Sequence, residues 1–171
     1  MGHTRHGASD HVVYLGLGSN QGDRDMLLRA ALERLPRAGV AVERVSAVFD
    51  TAPMLVTEQP RFHNLVAAGR TPLTPLALLR AVKAIERGLG RVTGPRYGPR
   101  PIDIDVLLYD DLVLESAELS VPHPRIAERA FVLAPLAEIA PELRLPTLGR
   151  TASELASALA GADVRRLGPL L

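Results

Sequence analysis

One stretch of this 171-residue chain has residue types and spacing that could do chemistry: Arg96-Tyr97-Gly98-Pro99-Arg100-Pro101-Ile102-Asp103-Ile104-Asp105-Val106-Leu107. Its second half has the composition of a buried strand, Ile102, Ile104, Val106, Leu107 and Leu108, with two acids set into it. Aspartate is depleted from strands and costly to desolvate. Asp103 and Asp105 alternate with Ile104, so both acids share one strand face and Ile104 takes the other. Two carboxylates on one face repel unless a cation lies between them, and the cation suited to hard oxygen donors is magnesium. Arg96 and Arg100 flank a Gly-Pro turn just upstream, and guanidinium groups match phosphate oxygens in geometry. Acids for magnesium beside arginines for phosphate is the layout of a nucleotide-phosphate site. An isolated Asp-x-Asp is more often a strand end with surface acids, because structural ion pairs also cluster charge. The arginines, in this order, tip the reading toward chemistry.

The elements that must hold this stretch follow from patterning. Val12 to Leu17 reads as a strand and Gly18-Ser19-Asn20-Gln21-Gly22 as the turn after it. Gly16-Leu17-Gly18 begins like a dinucleotide fingerprint, but position 21 is Gln and the next glycine is Gly22, so small residues for a turn are the default. Asp23 opens a helix carrying Leu27, Leu28, Ala31, Leu32 and Leu35, stopped by Pro36 and Gly39. Val40 to Val48 alternates as a strand, Phe49 to Pro53 breaks it, and Thr51 to Pro60 reads as a surface loop. Phe62 to Ala68 is the next strand. Phe62 and Asn64 share a face, where ring and amide could stack on a heterocycle and read its edge; Phe62 as core and Asn64 as a strand end fits equally well.

Thr74-Pro75 caps a second helix with the stripe Leu76, Leu79, Val82, Ile85, ending at Gly88. After the basic loop and the acidic strand, Asp110-Asp111 makes a turn and Leu112 to Leu114 a return strand. Val121-Pro122-His123-Pro124 is too proline-rich for a helix or central strand. Glu128 to Ile139 is helical with Pro135 bending it. A last helix starts at the capping box Thr151-x-x-Glu154 and turns Leu155 and Leu159 inward. Residues from Ala162 onward give no signal. The order predicts an α+β fold: a ferredoxin-like split βαβ sandwich (βαββαβ core) with an appended hairpin and C-terminal helices. Residues 1–11 read as a disordered tail and 12–171 as a single domain.

Composition sets the bounds. Hydrophobic residues make up 47% and charged residues 23%, with a net charge of +1, so no global field draws in nucleic acid or membrane. Without cysteine there are no disulfides or thiolate metal sites, which fits the cytoplasm. From Arg87 to Ile102 there are four arginines, Arg87 included, and no acid, a basic loop sized for a small polyanion. Aromatics, at 4%, are too few for an RNA-stacking sheet module, one rival reading. A second rival, a nucleotidyltransferase, would release pyrophosphate from ATP.

Arg96-x-Gly-Pro-Arg100-x-x-Asp103-Ile-Asp105-Val-Leu resembles, position for position, the signature of the hydroxymethyl-dihydropterin pyrophosphokinase family of folate biosynthesis. Gly16-Leu-Gly18-Ser19-Asn20, Thr51-x-Pro53, Gln59-Pro60-x-Phe62-x-Asn64, Glu86, Gly90-Arg91-Val92, Val121-Pro122-His123 and Arg129-x-Phe131 are similar to the family's other motifs and occur in its order. The resemblance implies transfer of pyrophosphate from ATP to the hydroxymethyl group of 6-hydroxymethyl-7,8-dihydropterin, with AMP released. It implies two magnesium ions on Asp103 and Asp105, with Arg91 and Arg100 as the phosphate clamp that matters most for rate. It places Glu86, Arg96, Val106, Ser120, His123 and Arg129 with ATP. It places Thr51, Ala52, Pro53, Met54, Phe62, Asn64, Asp103 and Phe131 with the pterin. Small-molecule substrates and a monomer are expected, with neither nucleic acid nor membrane as partner. Ala52, Leu55, Thr93, Tyr97 and Pro124 depart from the common pattern, and Thr93 puts one clamp arginine in question. No residue marks itself as a strong general base; the hydroxyl proton could pass to water or to Asp105.

Overall fold

The structure is a computed structural model that describes residues 10–54, 58–90 and 101–170. Among these residues it has four α-helices and a predominantly antiparallel sheet system. In chain order the elements are β1 (His11–Ser19), α1 (Arg24–Ala38), β2 (Ala41–Val45), β3 (Val48–Thr51), β4 (Phe62–Thr71), α2 (Pro75–Gly88), β5 (Asp103–Tyr109), β6 (Leu114–Glu115), β7 (Ser120–Val121), α3 (Ala130–Ile139), α4 (Ala152–Ala158) and β8 (Val164–Gly168). The main sheet runs β5-β1-β4-β3-β8, with β2 also paired to β4, and β6-β7 form a separate ribbon. Among the described residues no helix is long and apolar enough to cross a membrane.

Strand alternation splits the core into two layers. Val13, Leu15, Leu17, Leu65, Ala67, Ile104 and Val106 face Leu28, Ala31 and Leu35 of α1 and Leu78, Val82 and Ile85 of α2. Each fully buried aliphatic side chain of this kind contributes about 1.5–3 kcal/mol. On the other face Tyr14, Val66, Ala68, Leu107 and Leu108 pack against Val132, Leu133 and Leu136 of α3 and Ala152 and Leu155 of α4. A register shift between Tyr14 and Leu15 lets β1 keep both alignments with β5.

The helix caps follow the residue chemistry. Asp23 accepts from Met26 N at 3.1 Å. Thr74 accepts from Ala77 N at 3.3 Å, and Thr151 accepts from Glu154 N at 3.1 Å. Pro36 does not stop α1; it lies inside the last turn, and Gly39 ends the helix at φ 107°.

Several expected boundaries move. The single strand over Val40 to Val48 is two strands, broken at Ser46-Ala47. There the Ser46 hydroxyl accepts from Val66 N at 2.9 Å and Glu138 accepts from Ala47 N at 2.6 Å, so side chains replace ladder bonds. The return strand after Asp110 pairs with β7 rather than β5. Asp110, at φ 48°, instead ties back to β1, accepting from Val12 N at 2.7 Å. His11, expected in a tail, is the first residue of β1; the rest of that tail up to residue 9 lies outside the described residues. The stretch beyond Ala162, expected to be without signal, forms β8 and extends the sheet beside β3.

Candidate functional site

Helices α3 and α4 cover only part of their sheet face. Where that cover ends, Gly16, Gly18, Phe62, Asn64, Asp103 and Asp105 are left lining a cavity of about 290 Å³. Their placement follows from register. Gly18 pairs with Asn64 of β4 on one side and with Asp103 of β5 on the other. Gly16 pairs likewise with Val66 and Asp105. Asp103, Gly18 and Asn64 therefore stand in one row across three strands, with the outer two about 10 Å apart, twice the strand spacing.

Gly16 is inside β1 as expected, and Gly18 is there too rather than in the turn that the sequence suggested. A Cβ on Gly18 would lie 2.3 Å from Asn64 Oδ1, so only glycine lets that amide lie over β1. The amide is fixed from the other side, where Asn64 Nδ2 donates to Thr51 Oγ1 at 2.7 Å. His63 points to the opposite face and meets Asp25 at 2.8 Å.

Of the residues singled out from the sequence, the cavity gathers Thr51, Ala52, Met54, Phe62, Asn64, Asp103, Asp105, His123, Arg129 and Phe131. Pro53 does not line it. Glu86 is buried in α2, 2.8 Å from Lys83 Nζ. Val106 belongs to the core beneath the sheet. Ser120 lines a neighbouring groove that shares His123 with the cavity. Arg91, Arg96 and Arg100 lie outside the described residues, as do Leu55, Thr93 and Tyr97.

Lys83, the chain's only lysine, lines the cavity and had not been singled out. It comes from α2, which packs beside the outermost strand β5. Its signal was weak: a cation on the helix face beside the apolar stripe reads as solvated surface.

Charge in the cavity sets Asp103 and Asp105 against Lys83 and Arg129. Burial, and then the Asp103 charge, push the Asp105 carboxyl up to about 7, against the pull of Lys83 and Arg129. Burial and the charge of Arg129 hold His123 down at about 4, so its imidazole is neutral at pH 7. Its Nδ1 accepts from Arg125 N at 3.3 Å, which leaves Nε2 to carry the proton toward a ligand. Arg129 has its guanidinium carbon 5.5 Å from the Phe131 ring centroid, and its buried Nε has no partner among the described residues. Such an orphaned donor is costly unless a ligand satisfies it. The cavity thus joins an acidic end, an aromatic and amide end, and unused donors between them.

Residues 14–141 match the family model of 7,8-dihydro-6-hydroxymethylpterin-pyrophosphokinase (HPPK). A Pseudomonas aeruginosa 2-amino-4-hydroxy-6-hydroxymethyldihydropteridine pyrophosphokinase is 45% identical over 158 residues, 91% of this chain and 96% of its own. A mitochondrial folate synthesis bifunctional protein of Arabidopsis thaliana is 47% identical over 132 residues, 77% of this chain. The chain spans 24% of that bifunctional relative's length. A crystal structure of wild-type Plasmodium falciparum HPPK-DHPS with pteroate superposes with a TM-score of 0.71 at 16% identity, covering 89% of this chain and 43% of that one.

Proposed function

This chain belongs to the 7,8-dihydro-6-hydroxymethylpterin-pyrophosphokinase family, and from that premise we propose that its cavity moves pyrophosphate from ATP to the hydroxymethyl oxygen of 6-hydroxymethyl-7,8-dihydropterin. The observation that carries this reading is the row Asp103–Gly18–Asn64, which sets a carboxylate pair and a ring-reading amide on one surface, a glycine apart. The strand order, with β4 inserted between β1 and the β2/β3 strands, supports the ferredoxin-like split βαβ arrangement.

The donor set fits magnesium. Asp103 and Asp105 offer hard carboxylate oxygens on one face, and a cation there would offset both the burial and the Asp103 charge that lift Asp105. Among the described residues no group of three or more His, Cys, Asp or Glu could hold a metal. Two carboxylates with the remaining ligands left to phosphate and water is how magnesium commonly binds beside a nucleotide. Bound there, magnesium supplies Lewis-acid polarisation and neutralises phosphate charge.

The chain's own residues do the rest. Phe62 and Phe131 present faces for the pterin ring to stack on. Asn64, its NH2 side occupied by Thr51, turns its carbonyl oxygen to the ring edge. Arg129 directs its unpartnered Nε–H to a phosphate or ribose oxygen, and neutral His123 donates from Nε2. By the family resemblance Arg91 and Arg100 would clamp the polyphosphate, with Arg96 as a further ATP contact. The substrate oxygen bonds to the β-phosphorus, the bond from that phosphorus to the α-phosphate oxygen breaks, AMP departs with that oxygen, and the hydroxyl proton goes to solvent. Incubation with ATP, magnesium and the hydroxymethyl pterin should yield AMP and the pterin diphosphate in equal amounts. Release of pyrophosphate instead, or no turnover, would overturn the assignment.

A further inference from the structure

Both stems of the β3–β4 connection meet a single residue from the far end of the chain. Thr51, Ala52 and Met54 of the first stem line the cavity, as does Phe62, next to Arg61 on the second. Asp163 immediately precedes β8, whose first residue, Val164, pairs with Thr51. Its backbone carbonyl accepts from Ala52 N at 3.3 Å. Its carboxylate accepts from Arg61 Nη1 at 2.8 Å and from Nη2 at 2.9 Å. Arg61 also donates through Nε to Asp50, one residue before Thr51, and its own carbonyl accepts from Arg24 at 2.8 Å. Asn20 Nδ2 holds Pro60 O at 3.0 Å.

We propose that Asp163 is a positioning residue for the pterin: by holding Ala52 and Arg61 together it fixes the stems that carry Thr51 and Phe62, and through Thr51 the amide of Asn64. The inference rests on reading this end of the cavity as the pterin site. An exposed ion pair is ordinarily worth little, because two long side chains lose entropy and salt screens them. This pair differs in geometry. Both carboxylate oxygens meet both terminal nitrogens, a two-point contact that fixes the plane of the guanidinium, and Asp50 holds the third nitrogen. The hydrogen bonds from Arg61 hold the Asp163 carboxyl below the usual carboxylate range. The coupling then passes from Asp163 to Arg61 and Ala52, from Ala52 to Thr51, and from Thr51 to Asn64 at 2.7 Å.

The test is steady-state kinetics of Asp163→Asn, which keeps shape and backbone but removes the charge, with Asp163→Glu as the conservative partner. KM for the hydroxymethyl pterin should rise about three- to tenfold in Asp163→Asn, with KM for ATP and kcat within about twofold of wild type. Asp163→Glu should recover most of the loss, which a general loss of folding would not allow. Calorimetric titration of the pterin into each variant at 10 °C reads the same shift in Kd without turnover and below any melting transition. An unchanged pterin KM and Kd, both KM values rising together, or no recovery in Asp163→Glu would each overturn the inference. A wild-type chain that forms no AMP would instead overturn the functional reading, and the inference with it.

Discussion

Gly18→Ala isolates the packing that aims the ring-reading amide. The added Cβ would sit 2.3 Å from Asn64 Oδ1, closer than such atoms can approach, with Asn64 Cγ at 3.4 Å. A clash with the free end of a flexible side chain costs little, but this end is not free. Asn64 is 8% exposed and its Nδ2 is bonded to Thr51 Oγ1 at 2.7 Å. Moving the oxygen swings the nitrogen off Thr51 and leaves buried polar atoms short of a partner, at about 1–3 kcal/mol. The opposing effect, the gain from replacing a strand glycine by alanine, is about 0.5–1 kcal/mol. The clash wins, and the net loss of about 1 kcal/mol lowers the melting temperature by about 2–4 °C. The larger effect falls on binding. An amide displaced from the ring edge gives up a hydrogen bond of about 1.5 kcal/mol, so KM for the pterin should rise about tenfold. KM for ATP should hold within about twofold, because the groups that move, Asn64 and Thr51, are the ones proposed for the pterin. The assay follows AMP while each substrate is varied in turn. A pterin KM within twofold of wild type would show that Asn64 relaxes without consequence and refute the row's role in recognition.

Three further outcomes follow from the same geometry. Asp103→Asn and Asp105→Asn should each lower kcat by at least about a hundredfold and raise the magnesium concentration for half-maximal rate, since one carboxylate cannot replace the pair; either variant within tenfold of wild type at normal magnesium would contradict the assignment. Lys83→Gln removes the cation at the acidic end of the cavity and should raise KM for ATP about three- to tenfold while leaving the pterin KM alone, and the opposite split would place Lys83 with the pterin. Burial raises the Glu138 carboxyl, but its bonds from Arg166 and Ala47 N outweigh that and hold it below the ordinary range. A depressed folded value stabilises the fold above the unfolded carboxylate pKa of about 4.3 and loses that effect as pH falls through the folded value. The difference in urea midpoint between wild type and Glu138→Gln should therefore be full at pH 7 and shrink below pH 4; an equal gap at both would refute it.

How far the sequence reached depends on which physical signal each residue carried. Asp103 and Asp105 were legible because strand alternation is strict and acids within an apolar strand have few explanations. The same rule placed Phe62 and Asn64 on one face. Helix starts were legible because Asp23, Thr74 and Thr151 each satisfy a backbone donor locally. Gly18 was read as a turn residue because glycine's commonest use is conformational, whereas here the demand is steric and comes from Asn64, 46 residues away. Nothing local announces such a contact. Lys83 escaped for a related reason, since its neighbours across the edge of β5 are remote in sequence. The break at Ser46-Ala47 depends on Glu138, and β8 depends on β3. Short strands of that kind are specified by the partner they meet rather than by their own pattern.

The two sheet faces have been given different work. Toward α1 and α2 the face is closed and apolar, and Leu15, Leu65 and Ile104 are at most 1% exposed there. Truncating any of these to alanine removes packing, about 2–5 kcal/mol, and should leave KM values for the surviving fold unchanged. The other face is closed only where α3 and α4 reach, and the open remainder holds residues a stable sheet would reject: two adjacent acids, two glycines and a buried amide. Each is locally unfavourable and answers to something the fold alone does not require. Asp103 and Asp105 repel across one face, a strain that the magnesium proposed there would relieve, and Gly18 forgoes packing so that Asn64 can lie over β1. Arg129 Nε is buried without an acceptor among the described residues. Because both faces share the same three strands, the closed side fixes the register that aligns Asp103, Gly18 and Asn64. A one-residue slip of β5 would turn both acids into the apolar layer, where they could not be charged. The hydrophobic packing against α1 and α2 thus sets the accuracy of the site above it.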